Sequence, residues 1–316
     1  MAPPEPEWEP IARLFAALPW DVREWGEALD AARAEVLAFV ETVQAAGTPV
    51  TLLAPPGDAA GSSAGISSAR YGDIWLRDTG PVFAAGAAQA FRFNGWGGKY
   101  LMAGDEGVAR HLAIEAGLPL HMHDFVLEGG AIDHDGTGAA LTTRQCLLNP
   151  NRNPAMGEGD VEAALANSLG LARLVWLDRG LVNDHTDGHV DNLARFVAPG
   201  HVVIACPDRK DDPNVLVYAD AARTVTEAGL KLTRIPSPGR VDDASGAVIP
   251  ASYANFVLTN ELVVVPQFGT GNDAAAVDAF AALFPERRAV GLSARAILAG
   301  GGAFHCMTNQ LPKGAI

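Results

Sequence analysis

Cysteine is scarce in this chain: three residues in 316, at Cys146, Cys206 and Cys306. An odd, widely spaced set cannot form a disulfide framework. Basic residues are also few, with 23 Lys and Arg against 37 Asp and Glu, a formal net charge of −14. That balance argues against a sequence-independent grip on nucleic acid, which needs clustered cations against phosphates. It suits a cationic ligand, although an acidic surface serves solubility equally. No uninterrupted apolar run approaches the roughly 20 residues of a membrane helix. The opening MAPPEPEWEP is acidic and proline-rich, with no basic region leading into an apolar one, so a secretory signal is not expected. These absences point to a cytoplasmic protein with neither nucleic-acid nor membrane partners.

What is present suffices for a core. Hydrophobic residues make up 48% and charged residues 19% of the chain, which excludes global disorder. No low-complexity linker or change of composition divides it, so residues 1–316 read as a single domain. Helical spacing of Leu29, Val36, Phe39, Val40 and Val43 predicts a helix from about Glu27 to Ala46. Further helices are expected over Asp105–Ala116, Asp160–Leu169, Asn214–Ala228 and Asp273–Leu283. Short apolar runs predict strands at Pro49–Ala54, Pro81–Ala84, Gln89–Phe93, Ala139–Thr143, Leu174–Leu177, Val190–Phe196, His201–Cys206 and Leu262–Pro266. Gly57 to Ser68 reads as a surface loop. Strands alternating with helices indicate an α/β or α+β fold.

Unusual polar residues recur at intervals. Asp78 lies in YGDIWLRDTGP, Glu128 in VLEGGA, His189 in TDGHVDN, Asn255 in SYANF and Cys306 in GGGAFHC. Their separations are 128 − 78 = 50, 189 − 128 = 61, 255 − 189 = 66 and 306 − 255 = 51. Five such points suggest modules of about 60 residues and propeller-like repetition.

Cys306 follows Gly300-Gly301-Gly302, and glycines let backbone approach a ligand closely. Cys146 and Cys206 sit beside apolar runs, where a buried structural thiol is the ordinary reading. An extended reading of Thr186 to Asn192 puts Asp187, His189 and Asp191 on one face. His185, four residues before His189, imitates a zinc-helix spacing, but Gly188 and the following alternation argue against a helix there. Asp78, between a strand-like run and a turn, and Glu128, before Gly129-Gly130, are each ordinary turn residues when taken singly. The combination carries more. One cysteine, one histidine and several carboxylates are the parts for nucleophilic attack on a guanidinium carbon. Carboxylates accept paired hydrogen bonds from the planar cation and leave its central carbon open to sulfur.

In these stretches the chain resembles the agmatine deiminase family, which is related to bacterial-type peptidylarginine deiminase. The matching motifs are WLRDTGP (Trp75 to Pro81), FNGWGGKY (Phe93 to Tyr100), LEGGAI (Leu127 to Ile132), LTTRQCLLNPNRNP (Leu141 to Pro154), DRGLVNDHTDGHVDNLARFV (Asp178 to Val197), SYANFVLTN (Ser252 to Asn260), VVVPQFG (Val263 to Gly269) and GGGAFHCMTNQLP (Gly300 to Pro312). The resemblance implies the pentein fold, a five-bladed α/β propeller with pseudo-fivefold repetition. It implies Cys306 as nucleophile and His189 as general acid/base. Asp78 and Asp191 would grip the guanidinium, with Glu128 assisting the histidine. Asn255 and Trp75 would contribute to substrate binding. The implied reaction hydrolyses agmatine through a covalent amidino-cysteine, with no metal or organic cofactor, in an enzyme whose relatives are often homodimers.

The motif departs from the family near the N-terminus. A Trp-x-x-Trp-Pro segment helps shape the substrate pocket in many members; here Phe15-Ala16-Ala17-Leu18-Pro19 stands in its place. The end of the site that reads the substrate's tail is therefore open. Free arginine, a peptidyl C-terminal arginine or a methylated guanidine are alternative substrates. Amidino transfer, a non-catalytic pentein and a zinc hydrolase are the other readings.

Overall fold

The computed structural model describes residues 1–58 and 61–316. Five sheets are built on one plan: an antiparallel pair, then a third strand parallel to the middle one. In the first sheet β1 (Ile11–Ala17) runs parallel to β2 (Val50–Ala54), with α1 (Leu29–Ala45) between them, and β3 (Gly65–Ser68) adds to β2 in parallel. In the second, β4 (Val82–Ala84) is antiparallel to β5 (Ala87–Arg92), and α2 (Asp105–Ala116) returns the chain to β6 (Leu120–Val126). β7 (Ile132–His134), β8 (Ala139–Thr143), α3 (Glu158–Leu169) and β9 (Arg173–Leu177) repeat the pattern. So do β10 (Ala194–Ala198), β11 (His201–Cys206), α4 (Val215–Glu227) and β12 (Lys231–Pro236). The last full unit is β13 (Val257–Leu258), β14 (Leu262–Gln267), α5 (Asp273–Leu283) and β15 (Arg288–Ser293). Finally β16 (Thr308–Pro312) pairs antiparallel with β1 and supplies the partner that the first unit lacks.

Burial explains which strands are visible in the sequence. Strands flanked on both sides are the best covered: β2, between β1 and β3, and β8, between β7 and β9, are buried at every position. Such strands read as continuous apolar runs. The third strands β6, β12 and β15 expose much of their length, and their runs are broken by His121, Asp124, Arg234 and Arg288. None of the three is expected from apolar runs alone. On α1, Val36, Phe39, Val40 and Val43 turn inward as their spacing predicts, Ala32 is buried with them, and Leu29 is only partly covered. Phe39 stacks on Phe304 with ring centroids 4.9 Å apart, which ties this helix to the segment just ahead of Cys306.

Four local expectations are corrected. Within Gly57–Ser68, taken as loop, Gly65–Ser68 forms β3; Ala59 and Ala60 lie outside the described residues. Val190–Phe196 is not one strand: Val190–Asn192 is a 3-10 turn, and the strand begins at Ala194. Asp187 (φ 66°) and Gly188 (φ 88°) take left-handed backbone, so Asp187 does not share a face with His189 and Asp191. It turns away to Lys99 and Arg152. The strand-like run before Asp78 is a helical turn, Leu76–Thr79.

The interval of about 60 residues has a structural meaning. Each of the five points sits shortly before the opening strand of a unit, from 257 − 255 = 2 residues (Asn255) to 194 − 189 = 5 (His189). The repeated plan therefore delivers one polar group per unit.

Candidate active site

The groups delivered this way converge. An ideal Cβ built on Gly130 would lie 2.6 Å from His189 Nδ1, 2.9 Å from Asp78 Oδ1 and 3.1 Å from Asp191 Oδ2. One point thus touches the imidazole and both carboxylates, and only glycine leaves room for them. Asp78 Oδ1 accepts from Gly130 N at 2.9 Å and Oδ2 from Trp96 Nε1 at 2.8 Å; His189 Nδ1 is 3.7 Å from Asp78 Oδ2. Trp96 reaches it from the turn Gly95–Gly98, where it holds left-handed backbone (φ 52°, ψ 50°) and Asn94 accepts from Gly97 N. A bulky residue in that conformation is strained, and such strain persists where the surroundings impose it.

Cys306 joins this group. Its Sγ is 3.5 Å from Asp191 Oδ2 and 3.0 Å from Asn255 Nδ2. Asn255 also accepts from the backbone N–H groups of His305 (2.9 Å) and Cys306 (3.2 Å) through Oδ1. Asn255 is therefore a clamp on the cysteine segment. It does not line the pocket described below. Glu128 is fully buried, with Oε1 paired to Arg152 Nε at 2.9 Å and Oε2 without a hydrogen bond. Glu128, Cys146 and His189 present atoms within 4.8 Å of one another, the one set of potential metal ligands among the described residues. His185 is not in that set. It stands against the Tyr100 ring, so the His185–His189 spacing does not become a chelate.

The electrostatics are set by burial and by neighbours. Burial drives the Cys306 thiol well above its ordinary pKa, and Asp191 and Asp78 push it the same way. Burial also raises Asp78, with Asp191 adding to the shift and His189 opposing it. For His189, burial alone would favour the neutral ring. Asp78, Cys146 and Glu128 outweigh it and hold the pKa well above the usual value. Asp191 is buried too, but its hydrogen bond and attraction to His305 keep it below the normal carboxylate range. Burial and neighbouring charges thus bias Cys306 toward the thiol, His189 toward its charged form and Asp191 toward the carboxylate.

A cavity of about 160 Å³ opens onto this group, with Asp78 and Cys306 at its buried end. Trp25, Trp75, Trp96 and Tyr100 line it. Trp25 and Trp75 stack with centroids 6.1 Å apart, and both indoles donate to Asp73, at 2.9 and 2.8 Å. Burial pushes the Asp73 carboxyl up to about 6. The glycine run serves this wall. A Cβ on Gly302 would meet the Trp75 ring at 2.7 Å and Cys306 Sγ at 3.1 Å. Phe15 and Leu18, where many family members carry tryptophan, are wholly buried in the core and absent from the cavity. The aromatic wall comes from Trp25, Trp75, Trp96 and Tyr100.

The sequence reading missed Trp25, Trp96, Glu7 and His305. Only His305, beside the cysteine in FHC, and Trp96, in the GWGG turn, stood in motifs already singled out. Arg92 pairs with Asp124, Arg152 with Glu128 and Asp187, and Arg195 with Asp133 and Glu7. None lines the cavity.

Residues 4–312 match the family model described as Porphyromonas-type peptidyl-arginine deiminase. Agmatine deiminase of Pseudomonas aeruginosa (strain LESB58) is 35% identical, over 97% of this chain and 94% of its own. The solved agmatine deiminase of Enterococcus faecalis superposes with a TM-score of 0.87 at 28% identity, covering 98% of this chain and 95% of the other. A C. jejuni agmatine deiminase variant with substrate bound gives a TM-score of 0.91 at 28% identity, covering 99% and 97%. With the match running from residue 4 to residue 312, the chain belongs to the Porphyromonas-type peptidyl-arginine deiminase family.

Proposed function

We infer that the protein is a guanidine hydrolase that converts agmatine and water to N-carbamoylputrescine and ammonia. One observation carries the choice of substrate. Among the described residues lining the cavity there is no Lys or Arg, whereas Glu24 and Asp73 stand on the same lining as Asp78. Agmatine carries a cation at each end, and this lining suits both. The carboxylate of arginine would meet no cationic partner and would be repelled.

The reaction follows from the groups at hand. The guanidinium lies between Asp78 and Asp191, and its positive charge offsets the carboxylates that keep Cys306 protonated. Ionisation of the thiol, with its proton released to solvent, is then favoured only when substrate is present. Sulfur attacks the central carbon, forming the C–S bond. His189 gives its proton to the departing nitrogen, the C–N bond breaks and ammonia leaves. The neutral histidine takes a proton from water, the C–O bond forms and the C–S bond breaks. Sulfur is protonated again as the ureido product departs. Glu128, within reach of the imidazole, supports its charged form.

The five sheet units are read as the blades of a pentein propeller acting as one catalytic domain over residues 1–316, since each supplies a group to one site. No described helix is long and apolar enough to cross a membrane. Three free thiols suit a reducing cytoplasm.

Agmatine, arginine, a C-terminal peptidyl arginine and a methylated guanidine, assayed for ammonia and ureido product, test the reading. Agmatine is expected to have a kcat/KM at least about 100-fold above the others, equivalent to ~2.7 kcal/mol of discrimination. Glu24→Gln should raise the KM for agmatine with little change in kcat. Equal or faster turnover of arginine overturns the assignment. The pH profile follows from the same groups. Activity should fall at low pH as Asp78, whose pKa is raised, takes up a proton and releases the guanidinium. It should fall at high pH as His189 loses the proton it must donate. A pH–rate profile of kcat/KM with no alkaline decline would contradict the role of His189.

A further inference from the structure

The residues ahead of β1 bring a carboxylate into the interior. Pro6 packs against Gly136, where a Cβ would approach its Cδ to 2.4 Å, and the Trp8 carbonyl accepts from Arg287 Nη2 at 2.5 Å. Glu7, between them, points inward. Its Oε1 lies 3.0 Å from Arg77 Nη1 and 2.9 Å from His305 Nε2, and its Oε2 lies 2.5 Å from Arg195 Nη2. The other ring nitrogen of His305 is 2.8 Å from Asp191 Oδ2, the oxygen that stands 3.5 Å from Cys306 Sγ. The imidazole is therefore held edge to edge between two carboxylates. Its backbone N–H is fixed by Asn255 at 2.9 Å. Asp191 Oδ1 is buried and makes no hydrogen bond.

We propose that Glu7 and His305 are positioning residues, with Glu7 orienting the His305 ring and that ring fixing Asp191 against the substrate's guanidinium. This rests on the reading of Asp191 as a guanidinium-gripping group. A carboxylate held through one oxygen by a buried ring has its plane and its free oxygen set before substrate arrives. Preorganisation of this kind is worth most where a small displacement spoils the reacting geometry. Arg77 and Arg195 flank Glu7, Asp133 pairs with Arg195, Asn255 holds the His305 backbone, and Cys306 lies beyond Asp191.

A double-mutant cycle tests the proposal. Glu7→Gln and His305→Gln should each lower kcat/KM for agmatine by about 10–100-fold, as loss of an orienting partner does at other sites. The double variant should be no worse than the weaker single. Glu7→Asp keeps the charge beside the two arginines but shortens the reach to His305. It should keep its thermal midpoint and still lose activity. Glu5→Gln, on the same segment, should leave activity unchanged. Losses in the two singles that multiply in the double would overturn the coupling. So would a Glu7→Asp enzyme of normal kcat/KM, or a Glu7→Gln enzyme that loses stability but not kcat/KM. Asp191→Asn separates the proposal from its premise: full activity in that variant removes the guanidinium-gripping role itself, while its inactivity beside a normal Glu7→Gln enzyme removes only the relay.

Discussion

Cys306→Ser is expected to lower agmatine turnover by about 10⁴-fold or more, as removal of a nucleophile does in covalent enzymes. Serine preserves the size and the hydrogen bond from Asn255, so folding should be unaffected. It removes the one atom whose ionisation the bound cation can promote. In the wild-type protein the thiol is buried and flanked by Asp191 and Asp78, and all three effects favour its protonated form. Binding of an inert guanidinium ligand should therefore raise the thiolate fraction, read as ultraviolet absorbance across a pH titration. Quenched turnover should yield an adduct on Cys306 by mass spectrometry, absent in the variant. Substantial ammonia release by Cys306→Ser would rule out the covalent route. An unchanged thiolate titration would rule out substrate-assisted ionisation while leaving the nucleophile in place.

Gly130→Ala should cost activity by about 10²-fold or more although it adds a single methyl group. That methyl would sit 2.6 Å from His189 Nδ1, 2.9 Å from Asp78 Oδ1 and 3.1 Å from Asp191 Oδ2, inside contact distance of three buried groups. None is the end of a flexible side chain free to move aside. His189 and Asp191 are completely buried, and Asp78 is held by two hydrogen bonds. The substitution should also lower stability by roughly 1–3 kcal/mol, as overpacking does. The measurement is kcat/KM beside a denaturant midpoint. Nearly normal kcat/KM would mean that these three groups are not jointly fixed in the reacting geometry.

Local patterns carried much of this structure. Asp105–Ala116 and Asp273–Leu283 form helices with the expected bounds, and Ala139–Thr143 and His201–Cys206 strands likewise. Each is a segment whose own periodicity or continuous burial decides its state. The misses have a common cause. β6, β12 and β15 are held by backbone pairing to a middle strand, and their exposed sides leave no apolar run to read. The row of Asp187, His189 and Asp191 failed because two left-handed residues interrupt it, a feature that alternation of residue types does not register.

By itself the sequence determined the chemical inventory: one cysteine behind a glycine run, one histidine and a set of carboxylates spaced at the period of a repeated unit. Residue type fixes which atoms can attack, donate or grip, and the repeat fixes how often such a group returns. Only the tertiary structure decided which of them meet. Pairing of β16 with β1 joins the chain's ends, and it puts Glu7 within 2.9 Å of His305, 298 positions away. It also decided that Arg152 and Arg195 are consumed by internal carboxylates, and among the described residues no Lys or Arg lines the cavity. The physical reason is the same in both cases. A buried charge must find a partner wherever folding brings one, and that choice is made by packing across the whole molecule.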